Sequence, residues 1–285
     1  MLDILIDAIF DCLKILPFLF AAYLFMEFLE QKTEDGAGEL TRRAGKLGPF
    51  IGGLLGIIPQ CGFSSAASNL FAGRVISFGT LLAVYLSTSD EMLPLFLSHG
   101  LPLSRILPIL FLKAVVAMSA GFLADAILSL KRNRDESFRI EELCEQEHCH
   151  CEEDGNILKA AFVHTLKIIS FVFVITLILN FLVETVGEET IASFLSDRLI
   201  LGHLLAALVG LIPNCAASIV ISELYLQSLI SFGMAMSGLF VSAGVGLLVL
   251  FRVNHHRKEN LQVVLTLYAV GAAAGILFDL LGIVI

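Results

Sequence analysis

The chain has 285 residues, 57% of them hydrophobic and only 16% charged, and its mean hydropathy is +0.87. A water-soluble domain of that length has no use for so much apolar surface, whereas helices of roughly 20 apolar residues fill a bilayer core. The formal charge of −9 excludes a nucleic-acid partner, which demands a basic surface.

Eight apolar stretches follow one another along the chain. The first, 3–29, lacks a basic leading segment and carries Asp3, Asp7 and Asp11, so it is expected to be a membrane helix and not a cleaved signal. The second, 47–73, is interrupted at Pro59-Gln60-Cys61-Gly62. That leaves two arms of about 12 residues, each ~18 Å as helix and short for a full crossing. The third, 75–98, is broken in its middle by Ser87-Thr88-Ser89-Asp90-Glu91, and the fourth, 103–130, holds Lys113 mid-helix. A hydrophilic segment, 131–156, separates these from the remaining four, 157–184, 199–225, 227–251 and 259–285. Breaks recur in the second half at Pro213-Asn214-Cys215 and around Val241-Ser242-Ala243-Gly244.

The two halves repeat each other at an offset of 154 residues. Gly56-Ile57-Ile58-Pro59-Gln60-Cys61 returns as Gly210-Leu211-Ile212-Pro213-Asn214-Cys215, Ile76-Ser77-Phe78-Gly79 as Ile230-Ser231-Phe232-Gly233, and Gly121 with Asp125 as Gly275 with Asp279. Three matches at one offset indicate two structural units, 1–130 and 157–285, joined by the 131–156 linker. Lys and Arg concentrate in 30–46, 131–156 and 252–258 and are missing from 99–102 and 185–197. With the basic loops in the cytoplasm, both termini lie outside and the second unit enters from the opposite face. The expectation is an all-α polytopic membrane protein of two inverted repeats with broken or re-entrant helices. Counting each arm as a span gives about ten transmembrane segments; counting hairpins gives six spans and two re-entrant loops.

Chemistry is expected where the helices break. Proline frees backbone groups that are tolerated at membrane depth only against protein or a water-filled cavity, and the carboxamide and thiol beside it can replace a ligand's hydration shell. The residues expected to line a substrate site near the midplane are therefore Pro59, Gln60, Cys61 and Ser64 with Pro213, Asn214, Cys215 and Ser218. Ser87, Thr88, Ser89, Asp90 and Glu91, with Ser242 opposite, complete its polar wall. The plain alternatives are a kinked helix packed through cysteine and an external loop carrying the two acids. An ammonium mid-helix needs an acid or water, so Lys113 is expected to face Asp90 or Glu91, either as a coupling group or as a static ion pair. Asp125 and Asp279 are expected to anchor helix ends.

The linker packs Cys144, His148, Cys149, His150 and Cys151 into eight residues. Soft ligands at this density suit zinc, copper(I) or a trivalent arsenical, the alternative being an acidic linker that binds nothing. No Walker-type phosphate loop occurs, nor His-Glu-x-x-His or Gly-x-Ser-x-Gly, so neither an ATPase nor an enzyme is expected.

The duplicated Ile58-Pro59-Gln60-Cys61-Gly62 and Ile212-Pro213-Asn214-Cys215-Ala216 motifs, the Ser87–Glu91 segment and the central Cys/His loop resemble the ten-transmembrane heavy-metal exporter family. That group is similar to the organoarsenical permeases and carries both arsenic-efflux and manganese-transporter labels. The resemblance spans essentially the whole chain and implies a secondary-active exporter of a heavy metal or metalloid in the cytoplasmic membrane of a prokaryote. Oxygen ligands such as Asp90 and Glu91 suit manganese, while Cys61 and Cys215 suit arsenicals. Expected partners are the bilayer, the substrate and a coupling ion such as proton or sodium, with homo-oligomerisation open. No cofactor is required, and a soft metal ion is expected at the 144–151 loop. The rival reading is a transporter of a small anion held at the half-helix N-termini after Pro59 and Pro213.

Overall fold

A backbone in apolar surroundings must satisfy its own N–H and C=O groups, and helices do so within one segment. The computed structural model describes residues 6, 8–10, 12, 13, 15–17, 19–21, 23, 24, 47–58, 61–89, 92–131, 157–186 and 199–283. Every regular element among the described residues is helical. The first half contains α1 (Cys61–Ala72), α2 (Phe78–Ser87), α3 (Met92–Ser98) and α4 (Leu103–Lys131). The second contains α5 (Ile157–Val186), α6 (Leu199–Gly210), α7 (Cys215–Leu226), α8 (Phe232–Val241), α9 (Gly246–Val253) and α10 (Arg257–Leu280). Helical residues also fill 47–55 and the described part of 6–24.

Among the described residues, three stretches, Leu103–Leu128, Phe232–Val253 and Arg257–Leu280, are long and apolar enough to cross a membrane by length and composition. The outward face of α4 carries Leu107, Phe111, Leu123 and Ile127, with Phe111 71% exposed. A continuous apolar face of that kind belongs against lipid, so the protein is membrane-embedded.

The sequence offset reappears in the helix boundaries. Displacement by 154 residues carries both ends of α1 onto those of α7, both ends of α2 onto those of α8, and the starts of α3 and α4 onto those of α9 and α10. The tight turns before α2 and α8 each contain one residue at positive φ, Arg74 at 60° and Ser228 at 58°. Ser77 and Ser231 then N-cap their helices by accepting from Thr80 N and Met234 N. A carboxylate reinforces each cap from the partner helix. Asp125 accepts from Ser77 Oγ at 2.6 Å and Gly79 N at 2.7 Å, and Asp279 accepts from Ser231 Oγ and from Gly233 N at 2.7 Å. An anion at a helix N-terminus meets the positive end of the dipole and donors with no intrahelical partner. Both aspartates thus anchor helix ends, as their position suggests. At these crossings a Cβ on Gly79 would strike the Gly121 carbonyl, and one on Gly233 the Gly275 carbonyl. Only glycine lets α2 settle on α4 and α8 on α10.

Two groups of contacts sit at opposite ends of α10. At its start, Glu259 accepts from Arg74 Nη2 at 2.9 Å. At its end, Phe278 stacks on Phe232 with ring centroids 6.1 Å apart, and Tyr225 links Phe232 to Phe96 of α3. His99, after α3, meets Glu223 of α7 at this same end, 3.4 Å apart. Twenty helical residues from Glu259 to Asp279 span ~30 Å. The main core joins residues of both halves around Leu81, Leu86, Ile221, Leu239 and Phe240. A second cluster packs Cys12, Ile15, Leu19 and Tyr23 on α5 and α9.

Candidate functional site

Helix α2 ends where Thr88 leaves helical geometry, at φ −51° and ψ 129°. A carbonyl oxygen has two lone pairs, and hydroxyls on the spot bond several carbonyls near this helix end. Ser87 Oγ donates to Ala83 O at 2.8 Å, Thr88 Oγ1 to Val84 O at 2.7 Å and Ser89 Oγ to Ser87 O at 3.0 Å. The matching break after α8 runs through Ser242 and Gly244, the latter at φ 54°. Between α6 and α7 the chain turns at 211–214, and Asn214 N-caps α7 by accepting from Ala216 N at 3.3 Å.

These breaks converge on one small cavity with room for about one water molecule. Thr88, Ser89 and Met92 line it from the α2–α3 break, and Cys215 and Ser218 from the start of α7. Leu239, Ser242 and Gly244 line it from the α8–α9 break, and Lys113 from α4. Cys215 is buried, and Ser218 Oγ donates to the Cys215 carbonyl at 2.8 Å.

Lys113 is 1% exposed. Its ammonium donates to the carbonyls of Thr88 and Leu239, the second at 2.9 Å, and lies 5.9 Å from the centre of the Phe240 ring. The two carbonyls belong to the C-terminal ends of α2 and α8, where each helix presents partial negative charge. Thr88, Ser89 and Ser218 spend their hydroxyl protons on main-chain carbonyls. What these three offer a ligand is therefore oxygen lone pairs. The lining is mainly apolar, and its polar groups are these oxygens together with Lys113, Cys215 and Ser242.

Of the residues singled out in the sequence, Thr88, Ser89, Lys113, Cys215, Ser218 and Ser242 line this cavity. Others sit beside it in packing roles. Ser64 is buried against Gly246, whose added Cβ would lie 2.7 Å from Ser64 Cβ, and Ser87 fills the space left by Gly56. Pro213 is half-buried in the turn before α7. Pro59, Gln60, Asp90 and Glu91, the side chain of Cys61, and Cys144, His148, Cys149, His150 and Cys151 lie outside the described residues. Met92, Leu239 and Gly244 were not singled out as site residues. Gly244 could have been, since it lies within the second-half break; Leu239 contributes through its carbonyl, which residue type cannot announce. A neighbouring buried network ties the halves together: Tyr85 Oη donates to Gly246 O at 3.1 Å and pairs with Ser68 Oγ at 2.7 Å, and Ser68 Oγ reaches Gly246 O at 2.8 Å.

No protein-family model, curated protein or solved structure matches this chain.

Proposed function

We propose that the protein is a secondary-active transporter that exports a heavy metal or metalloid, a divalent cation or a trivalent arsenical, through the cavity at the broken helices. The observation that carries this reading is a small cavity formed where helices from both halves are interrupted, with the hydroxyl residues Thr88, Ser89, Ser218 and Ser242 and with Cys215 in its lining. Oxygen and thiol ligands together suit a borderline or soft cation. The rival, an anion at a half-helix N-terminus, finds less support. The Asn214 side chain already accepts from Ala216 N at the start of α7.

The inverted arrangement belongs to this proposal, and contacts at the two ends of the bundle support it. The end of α4 meets the start of α2 through Asp125 and Gly79, beside the Arg74 turn that holds the start of α10. The turn leading into α4, at His99, lies with α7 near the end of α10. Helices α4 and α10 correspond in the repeat and on these contacts run in opposite senses, which is the hallmark of two oppositely inserted units. In the ten-segment reading each of the shorter helices α1, α6 and α7, 12 residues each, is a span of its own.

The test is flux in proteoliposomes containing the purified full-length protein, with manganese, zinc, arsenite and methylarsenite offered separately under an imposed ion gradient. Gradient-driven flux of at least one is expected. For a thiophilic substrate, Cys215→Ser should weaken apparent affinity by about tenfold or more, the scale on which metal sites respond to lost partners. Absence of flux for all four, or movement of small anions instead, refutes the proposal.

A further inference from the structure

We infer that the turn between α9 and α10 is a docking surface for the headgroup of an anionic phospholipid. Its exposed residues are His255, His256, Arg257 and Lys258. A buried asparagine pair holds the turn in shape. Asn254 Nδ2 donates to Asn260 Oδ1 at 2.8 Å, Asn260 Nδ2 to the Asn254 carbonyl at 2.7 Å, and His256 N to Asn254 Oδ1 at 3.3 Å. The basic side chains are thereby displayed outward on a preformed turn, which lowers the ordering cost of binding. The acid of the first turn, Glu259, is committed elsewhere, accepting from Arg74 Nη2 at 2.9 Å and from Asn254 Nδ2 at 3.4 Å. His255, Arg257 and Lys258 make no ion pair among the described residues.

Arg257 and Lys258 stand in the first turn of α10, where the helix dipole disfavours cations and no side chain caps the end. An anion over this turn relieves that conflict. Its acyl chains have a place as well. Leu261 and Leu265 follow Arg257 in four-residue steps along α10 and are 56% and 57% exposed, and Phe251 of α9 is 54% exposed. Basic groups directly above a lipid-facing stripe suit an acidic headgroup whose tails stay in the bilayer. A purely topological signal needs Lys and Arg anywhere in the loop, with no asparagine clamp to present them. The corresponding turn of the first half, Gly100-Leu101-Pro102-Leu103-Ser104, carries none of these charges, so the scaffold does not require them.

The experiment titrates purified full-length protein in a neutral detergent with phosphatidylglycerol, with phosphatidylcholine of the same acyl chains, or with inorganic phosphate. Bound lipid is counted by native mass spectrometry, and thermal unfolding is followed alongside. Wild type should retain phosphatidylglycerol saturably and melt about 3 °C or more higher at lipid levels far above its dissociation constant. Phosphatidylcholine and phosphate should do neither. Arg257→Gln combined with Lys258→Gln should weaken apparent affinity for phosphatidylglycerol about tenfold or more. Arg42→Gln combined with Arg43→Gln removes the same charge from the 30–46 loop and should leave that affinity near wild type. Should the first double variant fail to accumulate, Lys258→Gln alone carries the comparison, with an expected loss of about fivefold. A wild type indifferent to headgroup charge means that another anion, such as the acidic 131–156 segment, holds the turn, and overturns the inference. A response reproduced by phosphate alone, an equal loss in both double variants, or no loss at 257 and 258 overturns it too. Lipid binding is read without any metal substrate, so this inference and the exporter reading fail separately.

Discussion

Asp125→Asn and Asp279→Asn are the same change at corresponding positions, and the local geometry makes their costs unequal. Each carboxylate accepts from a serine hydroxyl and from a glycine N–H at the start of a half-helix. An asparagine can keep the N–H bond through its oxygen, but its NH₂ cannot accept from the serine. The loss is one charge-assisted hydrogen bond, about 1.5–3 kcal/mol, and the charge–dipole attraction, about 0.3–1 kcal/mol. In the first half the stranded Ser77 hydroxyl has Thr80 Oγ1 at 2.7 Å and can donate there, recovering about 1 kcal/mol. The corresponding residue in the second half is Met234, which accepts nothing comparable. His203 Nε2, 3.1 Å from Asp279 Oδ2, also loses its carboxylate. Asp279→Asn should therefore be the more destabilising by about 1–2 kcal/mol, which for a chain of this size separates the melting midpoints by about 2–8 °C. Thermal unfolding of the two variants in one detergent measures this directly. Neither aspartate lines the cavity, so apparent substrate affinity should stay near wild type in both. Equal midpoints, or Asp125→Asn the weaker protein, would refute the capping account.

Gly246→Ala puts a Cβ 2.7 Å from Ser64 Cβ and 2.9 Å from the Ser64 carbonyl carbon. Backbone on both sides resists it, so α9 must separate from α1 at a cost of about 1–3 kcal/mol, with a lower melting point and slower flux expected; an unchanged melting point would contradict this packing. Arg74 and Glu259 approach to 2.8 Å with side chains 13% and 25% exposed. A double-mutant cycle with Arg74→Ala and Glu259→Ala should return a coupling near the upper end of exposed pairs, about 1 kcal/mol, and a coupling of zero would mean that the halves are not held together there.

The frame was legible because its signals are properties of backbone and residue type. Serine before an apolar run marks the starts of α2 and α8, and the offset between them carries over into helix boundaries without a residue gained or lost. The meeting of Thr88, Cys215, Ser218 and Ser242 at one cavity follows from polar residues placed at breaks, which must find protein or water at membrane depth. Two kinds of feature were not legible. Ser64 and Ser87 carry the same hydroxyl as Ser89 but pack against glycines 246 and 56, and only the tertiary approach of those glycines separates packing from lining. Residue types advertise side-chain partners, so Lys113 was expected to face Asp90 or Glu91, which lie outside the described residues. Its bonds to Thr88 and Leu239 use main-chain carbonyls, which every residue possesses and only an interrupted helix makes available.

The same contrast says where function resides in a duplicated chain. The capped starts of α2 and α8 share the serine cap and both aspartate bonds, so duplication supplies the scaffold. The cavity is made by departures from the repeat. Tyr85, bonded to Ser68 and to the Gly246 carbonyl, corresponds to Leu239, which has no hydroxyl. Ser222, the counterpart of Ser68, is accordingly buried with no hydrogen-bond partner for its Oγ among the described residues. Lys113 corresponds to Leu267, and the polar Ser89 to Ala243. A strictly symmetric pair would bring two ammonium groups to one meeting point, where like charges a few ångströms apart in a poorly screened interior repel by several kcal/mol. Lysine at 113 with a buried leucine at 267 avoids that repulsion.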